Sequence, residues 1–252
     1  MVQRLKSYFE NPIVLRSCRD TAIGGAIVGL WAAGVSPWLV GVLGGLVFLK
    51  IYFGMIDRIS VKWSFWTVVA SYAAAAAYID QFAPFLAPGI LWVLFELSFL
   101  AVFFGVVGTG NFIFEDKVGV YEFVHTAVVF VNTFFFGTLL VSVSLIWALL
   151  FFLWITLLMR EFFEFLKVLD EKRRNVFAAS AGLISLQLLF LSAFLPLGFM
   201  NAAILATLFL FVMRNIVVSY EEKNLTKRVF LREISTFVAV SLIVFSTVRW
   251  TI

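Results

Sequence analysis

Apolar residues fall in long unbroken runs along this chain, and polar and charged residues gather in the short stretches between them. A helix needs about 20 mostly apolar residues to cross a hydrocarbon core about 30 Å thick. The pattern therefore predicts an all-α polytopic integral membrane protein. The first run, Thr21 to Gly54, is too long for one crossing and is broken at Ser36–Pro37. It predicts a hairpin, with one helix to about Val35 and the next from Trp38 to about Phe53. A re-entrant hairpin would leave the parity unchanged. A third span is expected from Trp63 to Ile79, an outer loop around Asp80, Pro84 and Pro88, and a fourth span from Gly89 to Val107.

Phe123 to Met159 holds no Asp, Glu, Lys, Arg or Pro across 37 residues. As one helix it would be roughly 55 Å long at about 1.5 Å per residue, which overshoots any bilayer. A split near Gly137 to Ser144 gives spans five and six. Span seven follows from Val176 to Leu195, span eight from Phe199 to Val212 and span nine from Ile234 to Val248, with outer turn Leu195–Pro196–Leu197–Gly198 between seven and eight.

Charge orients this threading. Eight Lys and Arg residues precede the long apolar stretch, from Arg4 to Lys117, and ten follow it, from Arg160 to Arg232. With the stretch split in two, all eighteen share one side and only Arg249 lies opposite; with one span the division is nine to ten. The positive-inside rule favours the split. The expected protein is a single transmembrane helical domain over residues 1–252, with about nine spans, N-terminus in and C-terminus out. Residues 1–20 form a cytoplasmic N-terminal segment, and residues 160–175 and 214–233 are cytoplasmic connections. Trp63 and Trp154 fall near the inner boundary, and Trp38, Trp92 and Trp250 near the outer one, as aromatic belts require.

Composition agrees. The chain is 63% hydrophobic and 13% charged, where soluble domains are about 45–50% apolar and about 25% charged. The net charge of +4 lies beside apolar spans, so it is a topology signal and predicts no nucleic-acid partner. The first span, with its long charged approach and no small-residue cleavage site, is expected to stay uncleaved. The setting fits the plasma (inner) membrane of a prokaryote. One cysteine, Cys18, allows no disulfide within the chain, and with one histidine, His125, it is too small a set for an ordinary zinc site. No metal or other cofactor is assigned.

Few residues are placed to carry chemistry. Glu96 lies inside span four, and an ionisable group at that depth usually faces a polar cavity or a partner. A carboxyl there also suits a proton carrier. His125 and Asn132 are seven residues apart, close to two helical turns, so they share a face of span five. Gln187 and Asn201 are intramembrane amides of spans seven and eight; with Glu96, His125 and Asn132 they form a candidate intramembrane polar site. Arg214 is expected to snorkel to the cytoplasmic surface. Gly25 and Gly29 form one GxxxG, Gly41 and Gly45 another, and Ala73 to Ala77 a third smooth face, all suited to close helix packing. The segment Arg160 to Arg174 alternates Phe162, Phe163, Phe165, Leu166 and Leu169 with charges; it is expected to lie in the interface or dock on a partner, with Asp170 and Arg174 paired. Gly108–Thr109–Gly110–Asn111 lacks the full phosphate-loop pattern, and no hydrolase or metalloprotease motif is present.

Three functions follow as expectations. The first is a non-enzymatic membrane component, a subunit or scaffold packing with membrane lipids and with a membrane-protein partner or a second copy. The second is a small proton-coupled transporter with Glu96 as protonatable centre. An intramembrane enzyme acting on lipid is third, since no acid–base pair stands out.

Overall fold

The chain enters its first helix at an Asn–Pro pair. Asn11 has extended backbone and its Oδ1 accepts from the Ile13 N–H at 3.0 Å, which satisfies one of the orphan donors of a helix start. Pro12 follows at the first helical position, where its missing N–H costs nothing. The computed structural model describes residues 11–55, 61–78, 88–111, 113–114, 116–140, 145–195 and 197–247. Among these there are nine helices and no strand: α1 (Pro12–Ala32), α2 (Pro37–Met55), α3 (Lys62–Tyr78), α4 (Pro88–Gly110), α5 (Lys117–Leu140), α6 (Leu145–Leu166), α7 (Glu171–Ala193), α8 (Gly198–Glu221) and α9 (Lys227–Thr247).

Six of them, α4 to α9, contain segments long and apolar enough to cross a membrane, as in a helical membrane protein. In α2 the apolar segment is shorter, Trp38–Gly54. The first helix begins nine residues before the apolar run that starts at Thr21, so Arg16, Arg19 and Asp20 are helical. The outer loop around Asp80 and Pro84, the turn at 141–144 and Arg249 lie outside the described residues.

Two compact units divide the chain, Met1–Val128 and Val129–Ile252, with the boundary inside α5. In the first, α1 packs against α4 and α2, and α3 packs against α4. Aromatic rings fill its core. Phe103 on α4 is fully buried and lies 5.7 Å from Phe48 on α2, 5.6 Å from Phe65 on α3 and 5.1 Å from Phe99, on which it stacks. Such pairs add about 0.5–1.5 kcal/mol beyond area burial. The α1–α4 seam depends on glycine: a Cβ at Gly24 would meet Phe103 Cε1 at 2.9 Å.

The second unit is a helical meander, α6 on α7, α7 on α8 and α8 on α9. Its entry shows that the long apolar stretch folds back. The rings of Phe136 and Phe151 lie 5.4 Å apart, whereas fifteen residues along one straight helix would separate them by about 22 Å. The α6–α7 turn uses Lys167 in the left-handed region, φ 55°. Helix α7 then starts at Glu171, five residues ahead of the expected Val176.

Three sequence expectations need correction here. Phe162 and Phe163 are wholly buried, and the Phe163 ring lies 6.5 Å from Phe177 on α7, so these two rings dock on their own chain, while Phe165 and Leu166 of the same segment stay half-exposed. Asp170 pairs with Arg173 at 3.4 Å and not with Arg174, because Asp170 sits just outside the helix and only the (i, i+3) cation swings toward it. Arg214 does not snorkel. Helix α8 runs on to Glu221, which leaves Arg214 at 2% exposure with its guanidinium 4.4 Å over the Phe162 ring and 5.0 Å over Phe211, a cation–π arrangement in a desolvated place.

Candidate functional site

Glu96 lies eight residues beyond Pro88 on α4, about 12 Å along the helix axis. Its side chain reaches the glycine face of α1: a Cβ on Gly25 would stand 3.1 Å from Glu96 Oε1 and also strike Leu100, and a Cβ on Gly29 would stand 4.0 Å from the same oxygen. The missing side chains of the first GxxxG thus leave the space that the carboxyl occupies. Glu96 is half-buried and makes no hydrogen bond or ion pair among the described residues. Beside it Val93, Leu94 and Leu97 are each more than half exposed. A partly exposed, unpartnered carboxyl thus borders an apolar helix face.

Along the rest of α4, hydroxyl and amide groups tie helices together. Tyr72 on α3 donates to Ser98 Oγ on α4 at 3.0 Å, and Ser98 in turn donates to the Phe95 carbonyl at 2.8 Å. Asn111, just past α4, donates to Ser17 Oγ on α1 at 2.7 Å, and both are buried. The glycine-containing segment Gly108 to Asn111 therefore ends a helix and clasps α1.

The other expected residues are placed differently. His125 and Asn132 are both buried on α5, with the His125 ring 5.8 Å from that of Tyr121. Gln187 is exposed on α7 and Asn201 half-buried on α8; neither makes a side-chain hydrogen bond among the described residues. Gly41 and Gly45 face open space, while the tight position on α2 is Gly44, where a Cβ would meet Ile27 Cγ2 at 3.0 Å.

Sequence patterning does not show which charged residues of the second unit meet. Arg160 lies 3.9 Å from Glu171, Arg173 3.1 Å from Glu221, and Asn215 donates to Glu233 at 3.3 Å. Each neighbouring pair among α6 to α9 is thus joined by at least one polar contact among the described residues. Glu161 and Arg214 are buried in the same unit. The available signal was position: Glu161 and Arg214 each flank an apolar run, and such a residue can turn inward as readily as out. Among the described residues no three His, Cys, Asp or Glu side chains gather as metal ligands would.

No family model matches this chain, and no curated protein or solved structure matches it either.

Proposed function

We propose that the chain is a non-enzymatic integral membrane component, a subunit or scaffold that pairs with another membrane protein through the outer face of α4. What carries this proposal is Glu96. An ionisable group at membrane depth is expensive unless it meets a partner or a polar cavity. Its carboxyl has no protein partner among the described residues, and its neighbours Val93, Leu94 and Leu97 present an exposed apolar strip. A transmembrane helix carrying a cation, amide or hydroxyl would complete both at once. A second copy of this chain meeting the first symmetrically through this face fits less well, since it would bring two Glu96 carboxyls together.

The proposed threading has nine spans in the plasma (inner) membrane of a prokaryote, N-terminus in and C-terminus out. One ion pair of the second unit supports part of it: Arg173, in 160–175, meets Glu221, in 214–233, at 3.1 Å, as expected if both connections lie at one end of that unit. Photo-crosslinking in membranes tests the partner. A crosslinker at Leu97 is expected to capture one protein at high yield, and Glu96→Leu to reduce that capture. Lipid adducts alone would defeat the proposal.

A second reading rests on the same carboxyl. A small proton-coupled transporter would use Glu96 as its protonatable centre, with His125, Asn132, Gln187 and Asn201 as further polar positions. Purified chain in vesicles would then carry a pH-dependent flux that Glu96→Gln abolishes. Wild-type flux in that variant would exclude it.

A further inference from the structure

Apart from Glu96, the first unit carries a second feature, on the α1–α2 hairpin. A pocket of about 510 Å³ opens there, lined by Arg16, Arg19 and Asp20 of α1 and Lys50 of α2, with Ile23, Val47 and Ile51 on its apolar side. Arg19 is engaged by Asp20, Nε at 3.2 Å and Nη2 at 3.0 Å. Arg16 and Lys50 are exposed and make no ion pair or hydrogen bond among the described residues. Two cations therefore converge from two helices on one hollow without an anion of their own, and the third is only partly neutralised.

Along the same hairpin lies a separate cavity of about 320 Å³. Ile27 and Val28 of α1 and Gly41, Gly44 and Gly45 of α2 line one side, and Trp66 of α3 faces them. The glycines matter because Gly41 and Gly45 have nothing within 4 Å of a built Cβ; the space they leave is open and not filled by packing. Its lining is almost wholly apolar. The two hollows succeed one another: Ile23 in the first is one helical turn from Ile27 in the second, and Val47 is about one turn from Gly44. From Arg19 to Val28 is nine residues, about 13.5 Å of helix rise. One leaflet of hydrocarbon is about 15 Å deep. A cationic hollow and, one turn further along the hairpin, an apolar one match a molecule with an anionic head and a hydrocarbon tail.

We propose that the α1–α2 hairpin holds one anionic membrane phospholipid. Its phosphate sits between Arg16, Lys50 and Arg19, and one acyl chain follows the seam past Ile27 to Gly41 and Gly45. Basic pockets between transmembrane helices on the cytoplasmic side take anionic head groups for this reason, and the cationic hollow lies at the end of α1 that the positive-inside rule puts there. The site is independent of the partner assigned to Glu96.

The test uses the full chain in detergent, stripped of native lipid, and measures retained lipid by native mass spectrometry. The probes are phosphatidylglycerol, phosphatidylcholine and inorganic phosphate. One phosphatidylglycerol per chain is expected to survive where phosphatidylcholine does not, and millimolar phosphate is expected to leave it bound. Removing one cation, in Arg16→Gln or Lys50→Gln, should weaken retention about fivefold, and the double variant about thirtyfold. Gly45→Leu fills the apolar cavity and leaves the cations in place, and should weaken retention while the thermal midpoint does not fall below that of wild type. Equal retention of the two lipids, no loss in the double variant, or displacement by phosphate would each overturn the proposal. The last would assign the cationic hollow to a free anion.

Discussion

A pair of glycine substitutions measures the central seam of the first unit. In Gly24→Ala the new Cβ would stand 2.9 Å from Phe103 Cε1 and 3.2 Å from Cδ1, inside the carbon–carbon optimum of about 3.5–4.0 Å. The ring has little room to yield: Phe103 is fully buried, stacked on Phe99 at 5.1 Å and hemmed by Phe48 and Phe65 at 5.7 and 5.6 Å. In Gly45→Ala the added carbon meets nothing within 4 Å. Both glycines are helical and in the same unit, so the helix-propensity gain of about 1 kcal/mol enters both variants and cancels in their difference. What remains is overpacking, about 1–3 kcal/mol. Gly24→Ala is therefore expected to be less stable than Gly45→Ala by that amount. Unfolding in mixed micelles with increasing dodecyl sulfate, followed by far-ultraviolet circular dichroism, reads the difference. Phe103→Leu should relieve part of the loss, with a coupling of at least about 0.5 kcal/mol between the two sites. Equal stability of the two alanine variants, or strict additivity with Phe103→Leu, would refute the packing argument.

Other outcomes follow from the same geometry. Asn111→Ala and Ser17→Ala should each cost about 0.6 kcal/mol, up to about 1.7, and the double variant no more than either, since they break one 2.7 Å bond; the dodecyl sulfate titration measures this. Arg214→Lys should destabilise the second unit by about 1 kcal/mol, because the shorter, strongly hydrated ammonium replaces the guanidinium that lies 4.4 Å from the Phe162 ring and 5.0 Å from the Phe211 ring; a fall in thermal midpoint checks it. In a Cys18→Ser background, Lys223→Cys should react with an impermeant maleimide from the cytoplasmic side and Phe194→Cys from the outside, and labelling of both from one side would break the proposed threading.

The helical class and the order of the helices are written in the hydrophobic runs, because a membrane span is set by length and apolarity more than by distant contacts. The split of Phe123 to Met159 was legible for the same reason: one helix would be too long, and the Phe136–Phe151 contact shows the fold-back. The helix ends were less legible. Arg16, Arg19 and Asp20 fall by charge in the N-terminal segment ahead of the first span, yet the Asn11–Pro12 start signal sits just ahead of them and they are helical. Arg214 and Glu161 were read or passed over as boundary residues because hydropathy ranks a charge by its neighbours along the chain, while burial depends on the helices beside it. On α2 the GxxxG spacing named Gly41 and Gly45, but the close approach falls on Gly44; the motif gives the smooth face, and only the crossing of two helices decides which glycine on it is pressed. Glu96 could be singled out from its depth alone. Its position against Gly25 and Gly29 could not, since nothing in either segment reveals that α1 and α4 are neighbours.

The proposal that this chain is a membrane subunit is tested most directly by mild extraction from the native membrane and mass spectrometry of everything that remains bound. A stoichiometric membrane-protein partner, retained by the wild-type chain and lost in Glu96→Leu, is the predicted result. A homogeneous chain carrying only lipid would contradict it.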